Sequence, residues 1–224
     1  MTPNEWARAN KKTIAREFIR NLDKEPSDSP TAVFTAGLPG AGKTEFTKEL
    51  LKDIAGDTLR IDMDEIACRI QGYKPRVADL FRAGASIILD RIYDEALKAH
   101  IDFVMDGTLS HPKAIDNIKR ALEKGYVVKV YFIHQEPVIA WQFTKDRELI
   151  ERRSIDRAKF VETYYRLHEN MVILQNLNKN VTVSIILKNA DNRIGSQYED
   201  IPDIYAIIPK PLAKDQLERD IVNS

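Results

Sequence analysis

Gly37-Leu38-Pro39-Gly40-Ala41-Gly42-Lys43-Thr44 is the stretch on which the reading of the fold turns. It matches G-x-x-x-x-G-K-[ST] at every fixed position, the pattern of a loop that holds phosphate. Glycines at 37, 40 and 42 open backbone turns that are closed to residues with a Cβ, so successive N–H groups point inward and cradle phosphate oxygens. The pattern assigns Lys43 to the β- and γ-phosphates and the Thr44 hydroxyl to Mg2+. The flanks agree with it. Ala32-Val33-Phe34-Thr35-Ala36 is an apolar run that ends at the loop, and Lys43 to Ile54 carries helix formers. Strand, loop and helix therefore follow in the required order. The implied ligand is a nucleoside triphosphate, ATP or GTP, with Mg2+, and its binding segment runs from Gly37 to Glu45.

The chain has 224 residues, a length that suits one α/β domain with a helical insertion. Three parts are expected: residues 1–30 as an N-terminal helix and linker, 31–188 as the nucleotide and phosphotransfer core, and 189–224 as a hairpin or loop with a final helix. Basic and acidic side chains number 34 each, for a formal net charge of zero. Nothing in that balance draws the protein to nucleic acid or to an anionic membrane, so neither is an expected partner. The single cysteine, Cys68, has no internal disulfide partner, and no apolar stretch reaches the length of a spanning helix or a signal sequence. The expected compartment is the cytoplasm.

Short apolar runs then alternate with longer helical patterns, which is how a parallel sheet with crossover helices is written. Strands are predicted at Thr58 to Ile61, Asp102 to Met105, Val127 to Ile133 and Val181 to Leu187. Helices are predicted at Trp6 to Asp23, Val77 to Ala99, Pro112 to Lys124, Glu136 to Ile150, Lys159 to Leu177 and Leu212 to Val222. The fold class is a three-layer α/β/α P-loop kinase type with a mostly parallel central sheet and a helical lid. In open parallel sheets the ligand lies at the carboxyl ends of the strands, and those positions hold carboxylates. Asp62 and Asp64 follow the second strand, where one carboxylate can activate an acceptor hydroxyl while its neighbour helps hold magnesium. Either is also a good helix N-cap. Asp106 follows the third strand, where the second magnesium-linked acid of such nucleotide-binding folds lies, and leads into Gly107-Thr108, whose composition a tight turn alone would also explain. Asp90 lies within a helical pattern and reads equally as a solvated face. Arg147, Arg152, Arg153 and Arg157 supply the planar cations that phosphoryl transfer uses, interspersed with acids that would serve surface ion pairs. Asn189 to Arg193 form a turn between extended segments, in a position to line the base pocket.

This ordered set resembles the zeta toxin family of bacterial toxin–antitoxin systems. The resemblance runs from about Thr31 to about Leu187 and rests on the phosphate loop, Ile61-Asp62-Met63-Asp64, Val104-Met105-Asp106-Gly107-Thr108, Lys124-Gly125-Tyr126 and the spaced arginines downstream. The best-known members are kinases that phosphorylate UDP-N-acetylglucosamine on its amino sugar and so poison cell-wall synthesis. What the resemblance implies is a catalytic base at Asp64, a phosphate-contacting lysine at Lys43 and transition-state arginines at Arg147 and Arg153. It implies acceptor contacts at Asp90, Asp106, Thr108 and Asn117, and metal contacts at Thr44 and Asp62. Two departures lie on the acceptor side. Asp stands at positions 90 and 106, where the family often has Glu, and Leu109-Ser110-His111-Pro112 stands where toxins acting on the amino sugar carry an arginine, with His111 and Lys113 as candidate replacements.

The expected function is magnesium-dependent transfer of the γ-phosphate to a hydroxyl of UDP-N-acetylglucosamine or a related nucleotide sugar or metabolite. A non-toxic metabolite or antibiotic kinase of the same fold is the alternative, and a nucleotide-dependent switch is a second from another class. Family members are restrained by a small helical antitoxin that blocks the nucleotide site. An antitoxin partner is therefore expected, and the segment from Met1 to Asp23 is either a structural helix or a cis-acting restraint of the same kind.

Overall fold

The computed structural model describes residues 1–20, 26–53, 58–151, 155–177 and 180–223. Its centre is β1 (Thr31–Ala36), whose last five residues are all buried. Around it stand β2 (Leu59–Asp62), β3 (Phe103–Asp106), β4 (Val127–His134), β5 (Val181–Lys188) and β6 (Ile194–Tyr198) in the order β2-β3-β1-β4-β5-β6. Every neighbouring pair is parallel except β5 with β6. The helices are α1 (Pro3–Arg20), α2 (Lys43–Asp53), α3 (Met63–Cys68), α4 (Asp79–Ala99), α5 (Ala114–Glu123), α6 (Pro137–Glu151), α7 (Arg157–Gln175) and α8 (Lys214–Val222). This is the mixed α/β architecture with a mostly parallel sheet that the sequence predicts.

Where boundaries differ, the reasons are local. The strands at β2 and β3 run one residue further than expected, because Asp62 and Asp106 still face each other in the ladder. Helix α5 begins at Ala114 rather than Pro112, after a turn closed by Ala114 N donating to His111 O at 2.9 Å. Helix α8 begins at Lys214 rather than Leu212, since Leu212 N donates to Tyr164 Oη at 3.0 Å and its carbonyl accepts from Tyr165 Oη at 2.8 Å. Leu212 is thereby fastened to α7. The ends of the predicted first two helices, residues 21–23 and Ile54, lie outside the described residues.

An aromatic cluster centred on Phe103 fills part of the core. Phe103 packs edge-on against Phe34 at 5.9 Å and Tyr93 at 5.4 Å, and tilted against Tyr126 at 5.6 Å. Such geometries suit the ring quadrupoles. Buried Tyr126 Oη donates to Ala96 O at 2.9 Å or to Ile101 O at 3.1 Å, which ties the end of α4 to the start of β4.

Helix α1 lies along α4. Ala7, Ile14 and Ala15 are its buried residues. Gly84 of α4 permits the close approach, since a Cβ there would sit 3.0 Å from Pro3 O and from Ile70 Cδ1. Arg69, just past α3, stands 5.7 Å above the Phe18 ring. The amphipathic N-terminal pattern is thus used to cover one side of α4.

Candidate active site

Backbone geometry sets the phosphate loop first. Gly37, Gly40 and Gly42 have φ of 148°, 80° and 80°, values that L side chains adopt only with strain. Neighbouring elements also press on the loop. A Cβ on Gly37 would lie 2.4 Å from Ile133 O, and one on Gly40 would lie 2.1 Å from Ala140 O. Helix α2 starts at Lys43, so the loop delivers a bound anion to a helix N-terminus. Lys43 Nζ donates back to Leu38 O at 2.7 Å. Burial lowers this ammonium to about 8; Asp106 opposes the fall and Arg147 adds to it.

A cavity of about 430 Å³ opens over the carboxyl ends of β1, β2 and β3. Lys43 and Thr44 of the loop line it, as do Asp64 in the first turn of α3, Asp106 and Thr108 after β3, Asn117 of α5 and Asp90 of α4. Helix periodicity explains the remaining wall. Ala140, Thr144 and Arg147 share one face of α6, spaced by four and three residues. Ala140 meets Gly40, and Thr144 and Arg147 line the cavity. On α4, Arg82, Ser86, Leu89 and Asp90 face the cavity, whereas Ala85, Ile88 and Ile92 are buried. Helices α6 and α7 form the helical cover.

Twelve of the sequence-predicted site residues therefore line one cavity, whereas Gly37, Leu38, Ala41 and Glu45 of the predicted binding segment do not border it. Arg153 lies outside the described residues. Asp62 and Asp106 stand side by side at the strand ends. Asp62 Oδ1 accepts from Asp64 N at 2.7 Å and caps α3. Its Oδ2 pairs with Arg60, whose Nη2 also donates to Asp106 Oδ2 at 2.8 Å. Burial raises the Asp62 carboxyl while Arg60 opposes the rise. The hydroxyl of buried Thr35 donates to Asp106 Oδ1 or to Gly107 O, both at 3.1 Å, and its Oγ1 accepts from Gly107 N at 2.9 Å. The Gly107-Thr108 turn is fixed to the phosphate loop by Gly37 N donating to Thr108 O at 3.3 Å.

Among the residues expected to meet an acceptor, Asp90 Oδ2 is reached by Lys113 Nζ at 3.0 Å. Burial and the neighbouring Lys113 lower the His111 imidazolium's pKa. Thr108 and Ser110 share a 2.7 Å hydroxyl contact. Asn117 is anchored through its carbonyl, which accepts from Tyr93 Oη, and its side chain borders the cavity. The Asn189 to Arg193 turn is closed by Asn189 Oδ1, which accepts from Arg193 N at 2.9 Å. It reaches the loop through Asn192, whose amide stands 3.0 Å from where a Gly42 Cβ would be.

Reading by motif missed five cations here, Arg76 on the cavity wall among them. Arg60 alternates with Asp62 on β2 and shares its face, a period-2 signal available in the sequence. Arg82, Lys159 and Arg166 line the cavity from α4 and α7, and their pairing with Asp79 and Glu162 at helical spacing disguises them as surface ion pairs. Helix α1 contributes no residue to the cavity wall among the described residues.

A glycine-rich loop on β1, strand-end carboxylates and a helical cover lined with cations together define a P-loop kinase fold. The chain belongs to the zeta toxin family, whose model matches residues 17–198. It is similar to a protein of Haemophilus influenzae described only as uncharacterized, with 36% identity over 104 residues, 46% of this chain and 69% of that one. Among solved structures it resembles one reported for the PezAT chromosomal toxin-antitoxin system of Streptococcus pneumoniae. The TM-score is 0.70 at 16% identity, covering 96% of this chain and 98% of that one. It also resembles AvrRxo1-ORF1:AvrRxo1-ORF2 with ATP, with a TM-score of 0.55 at 17% identity over 87% of this chain and 63% of that chain. No helix among the described residues is long and apolar enough to cross a membrane.

Proposed function

We propose that this chain is a single-domain kinase that transfers the γ-phosphoryl group of a nucleoside triphosphate to a hydroxyl of UDP-N-acetylglucosamine or a closely related nucleotide sugar. One observation carries the reading: the phosphate loop, Asp64, Arg147 and the acceptor-side group of Asp90, Thr108 and Asn117 line one cavity. The ATP named in the AvrRxo1 structure favours ATP as donor. The acceptor hydroxyl gives its proton to an Asp64 carboxylate oxygen as its own oxygen bonds to the γ-phosphorus. The bond to the β–γ bridging oxygen breaks, and the nucleoside diphosphate leaves with that electron pair. Lys43, Arg147 and Arg153 offset the charge on the transferred group. Asp106 acts from behind the acceptor, holding the Gly107-Thr108 turn through Thr35.

Magnesium fits this site as the nucleotide's companion. No three acidic, histidine or cysteine side chains among the described residues group to hold a metal by themselves. The Thr44 hydroxyl, with phosphate oxygens and water, is the kind of donor set Mg2+ accepts. When bound, Mg2+ would neutralise charge on the phosphate oxygens. An antitoxin partner, as the PezAT name implies for that system, and a cytoplasmic site of action complete the proposal.

The test is mass spectrometry of a nucleotide-sugar and metabolite panel incubated with ATP, Mg2+ and the protein, beside Lys43→Ala and Asp64→Asn. Phosphorylated UDP-N-acetylglucosamine absent from both controls is the expected result. Asp64→Asn should lower turnover by about 10²–10⁴ as a lost general base, with nucleotide affinity retained. Full activity in that variant would sink the assignment of the base.

A further inference from the structure

Parallel neighbours in a sheet lie about 4.8 Å apart, so the register of Asp62 with Asp106 sets two carboxylates side by side at the mouth of the site. Such a pair ordinarily recruits a cation or takes up a proton. Here the cation is covalently part of the chain. Arg60 precedes Asp62 by two on an extended strand, so both project to the same face, opposite buried Leu59 and Ile61. Its Nη2 contacts Asp62 Oδ2 and Asp106 Oδ2 together. The environment is enclosed, with side-chain exposures of 22% for Arg60, 17% for Asp62 and 6% for Asp106.

All four carboxylate oxygens are then accounted for. Two meet Arg60, Asp62 Oδ1 meets the backbone of α3, and Asp106 Oδ1 meets Thr35. Three of the four already carry a donor, and the fourth faces the Thr35 hydroxyl, whose proton is shared with Gly107 O. We propose that Arg60 is a positioning residue that occupies the place of a divalent cation between Asp62 and Asp106, closing this carboxylate pair to metal and holding Asp106 over Thr35 and Gly107. The nucleotide's own metal is thereby left to the phosphate loop, a corollary that rests on the kinase reading; the closure itself does not.

The test is Mn2+ binding to the nucleotide-free full-length protein, read by electron paramagnetic resonance. Arg60→Gln removes the charge and keeps a donor. It should bind one Mn2+ at least about tenfold more tightly than the wild type, as expected when a buried charge pair loses its counter-ion. Arg60→Gln with Asp106→Asn should return to the wild-type curve, and Arg60→Lys, which restores the charge, should stay within about threefold of it. Equal Mn2+ binding in Arg60→Gln and the wild type would overturn the proposal, as would a gain that survives Asp106→Asn. Should Arg60→Gln prove too unstable for titration, its thermal unfolding with and without Mn2+ decides the matter. A rise in Tm larger than the wild type's is expected, and an equal one refutes the idea. No reading requires turnover, so a failed kinase assay leaves this test intact.

Discussion

Lys43 Nζ donates to the carbonyl of Leu38, in its own loop, at 2.7 Å. The same carbonyl also accepts from Ala41 N at 3.1 Å, so the loop keeps its own closure when the lysine departs to a phosphate. The lysine is held in a conformation that a ligand competes for. Its ammonium, crowded by protein, titrates at about 8 rather than its ordinary 10.5.

That shift has a sign in stability. Below about pH 8 the ammonium is charged in folded and unfolded chains alike, and the folded protein carries the full cost of burying it. Between 8 and 10.5 the folded chain sheds the proton first, so the cost fades as pH rises. Lys43→Met should therefore be more stable than the wild type at pH 7 without ligand, by about 2–4 °C in Tm if the cost is about 1 kcal/mol. The gain should disappear by about pH 10.5. Saturating ATP and Mg2+ should reverse the order, since only the wild type gains from binding. Paired melting curves at pH 7 and 10 check this, and a wild type that is the more stable at pH 7 without ligand would contradict the buried-cation argument.

Gly40 and Gly125 separate backbone strain from steric clash. Both have positive φ, 80° and 79°, so alanine at either costs about 1–3 kcal/mol. At Gly125 nothing lies within 4 Å of the new Cβ, whereas at Gly40 it would sit 2.1 Å from Ala140 O. Gly40→Ala must push α6 off the loop. It should weaken ATP binding at least about tenfold, while Gly125→Ala leaves affinity within about twofold. Isothermal titration of both variants is the measurement. Equal affinities would mean that the contact with α6 does not shape the loop.

The sheet and the geometry of the phosphate loop were legible in the sequence because each rests on short-range pattern. The loop's glycines, the apolar run of β1 and the acids that end β2 and β3 carry their meaning within a few residues. The cap of α3 by Asp62 was legible only as one of two options, since an N-cap and a metal ligand require the same side chain at the same place. What escaped reading needs the third dimension. Arg166 and Lys159 flank Glu162 on α7 and look like a solvated ion-pair ladder until the fold turns that face to the cavity. The period-2 partnership of Arg60 with Asp62 was visible, but its second contact spans 46 positions to Asp106.

The N-terminal helix provides a structural prediction. Ile14 is 6% exposed between α1 and α4, and no α1 residue borders the cavity among the described residues. Ile14→Ala should cost about 2–5 kcal/mol, a fall in Tm of about 2–4 °C per kcal/mol, with kcat per folded molecule unchanged. A rise in turnover would instead favour restraint by this helix.

Lys113 decides how the acceptor side is read. Its ammonium lies 3.0 Å from Asp90 Oδ2, with side-chain exposures of 56% and 39%. An ion pair that open is worth about 0–1 kcal/mol to the fold, so Lys113→Met should leave Tm within about 2 °C. Its position on the cavity wall suits an anionic group of the proposed acceptor. A lost charge-assisted hydrogen bond of about 1.5–3 kcal/mol there would raise the acceptor KM by at least about tenfold. The KM for ATP should not move, because the proposed function puts the triphosphate on the phosphate loop. Asp90→Asn should act differently, lowering kcat as well as raising the acceptor KM, if its carboxylate orients the reacting hydroxyl as proposed and so contributes in the transition state. Steady-state kinetics with each substrate varied in turn separates these outcomes. Loss of ATP affinity in Lys113→Met would move the lysine from the acceptor side to the donor side of the cavity.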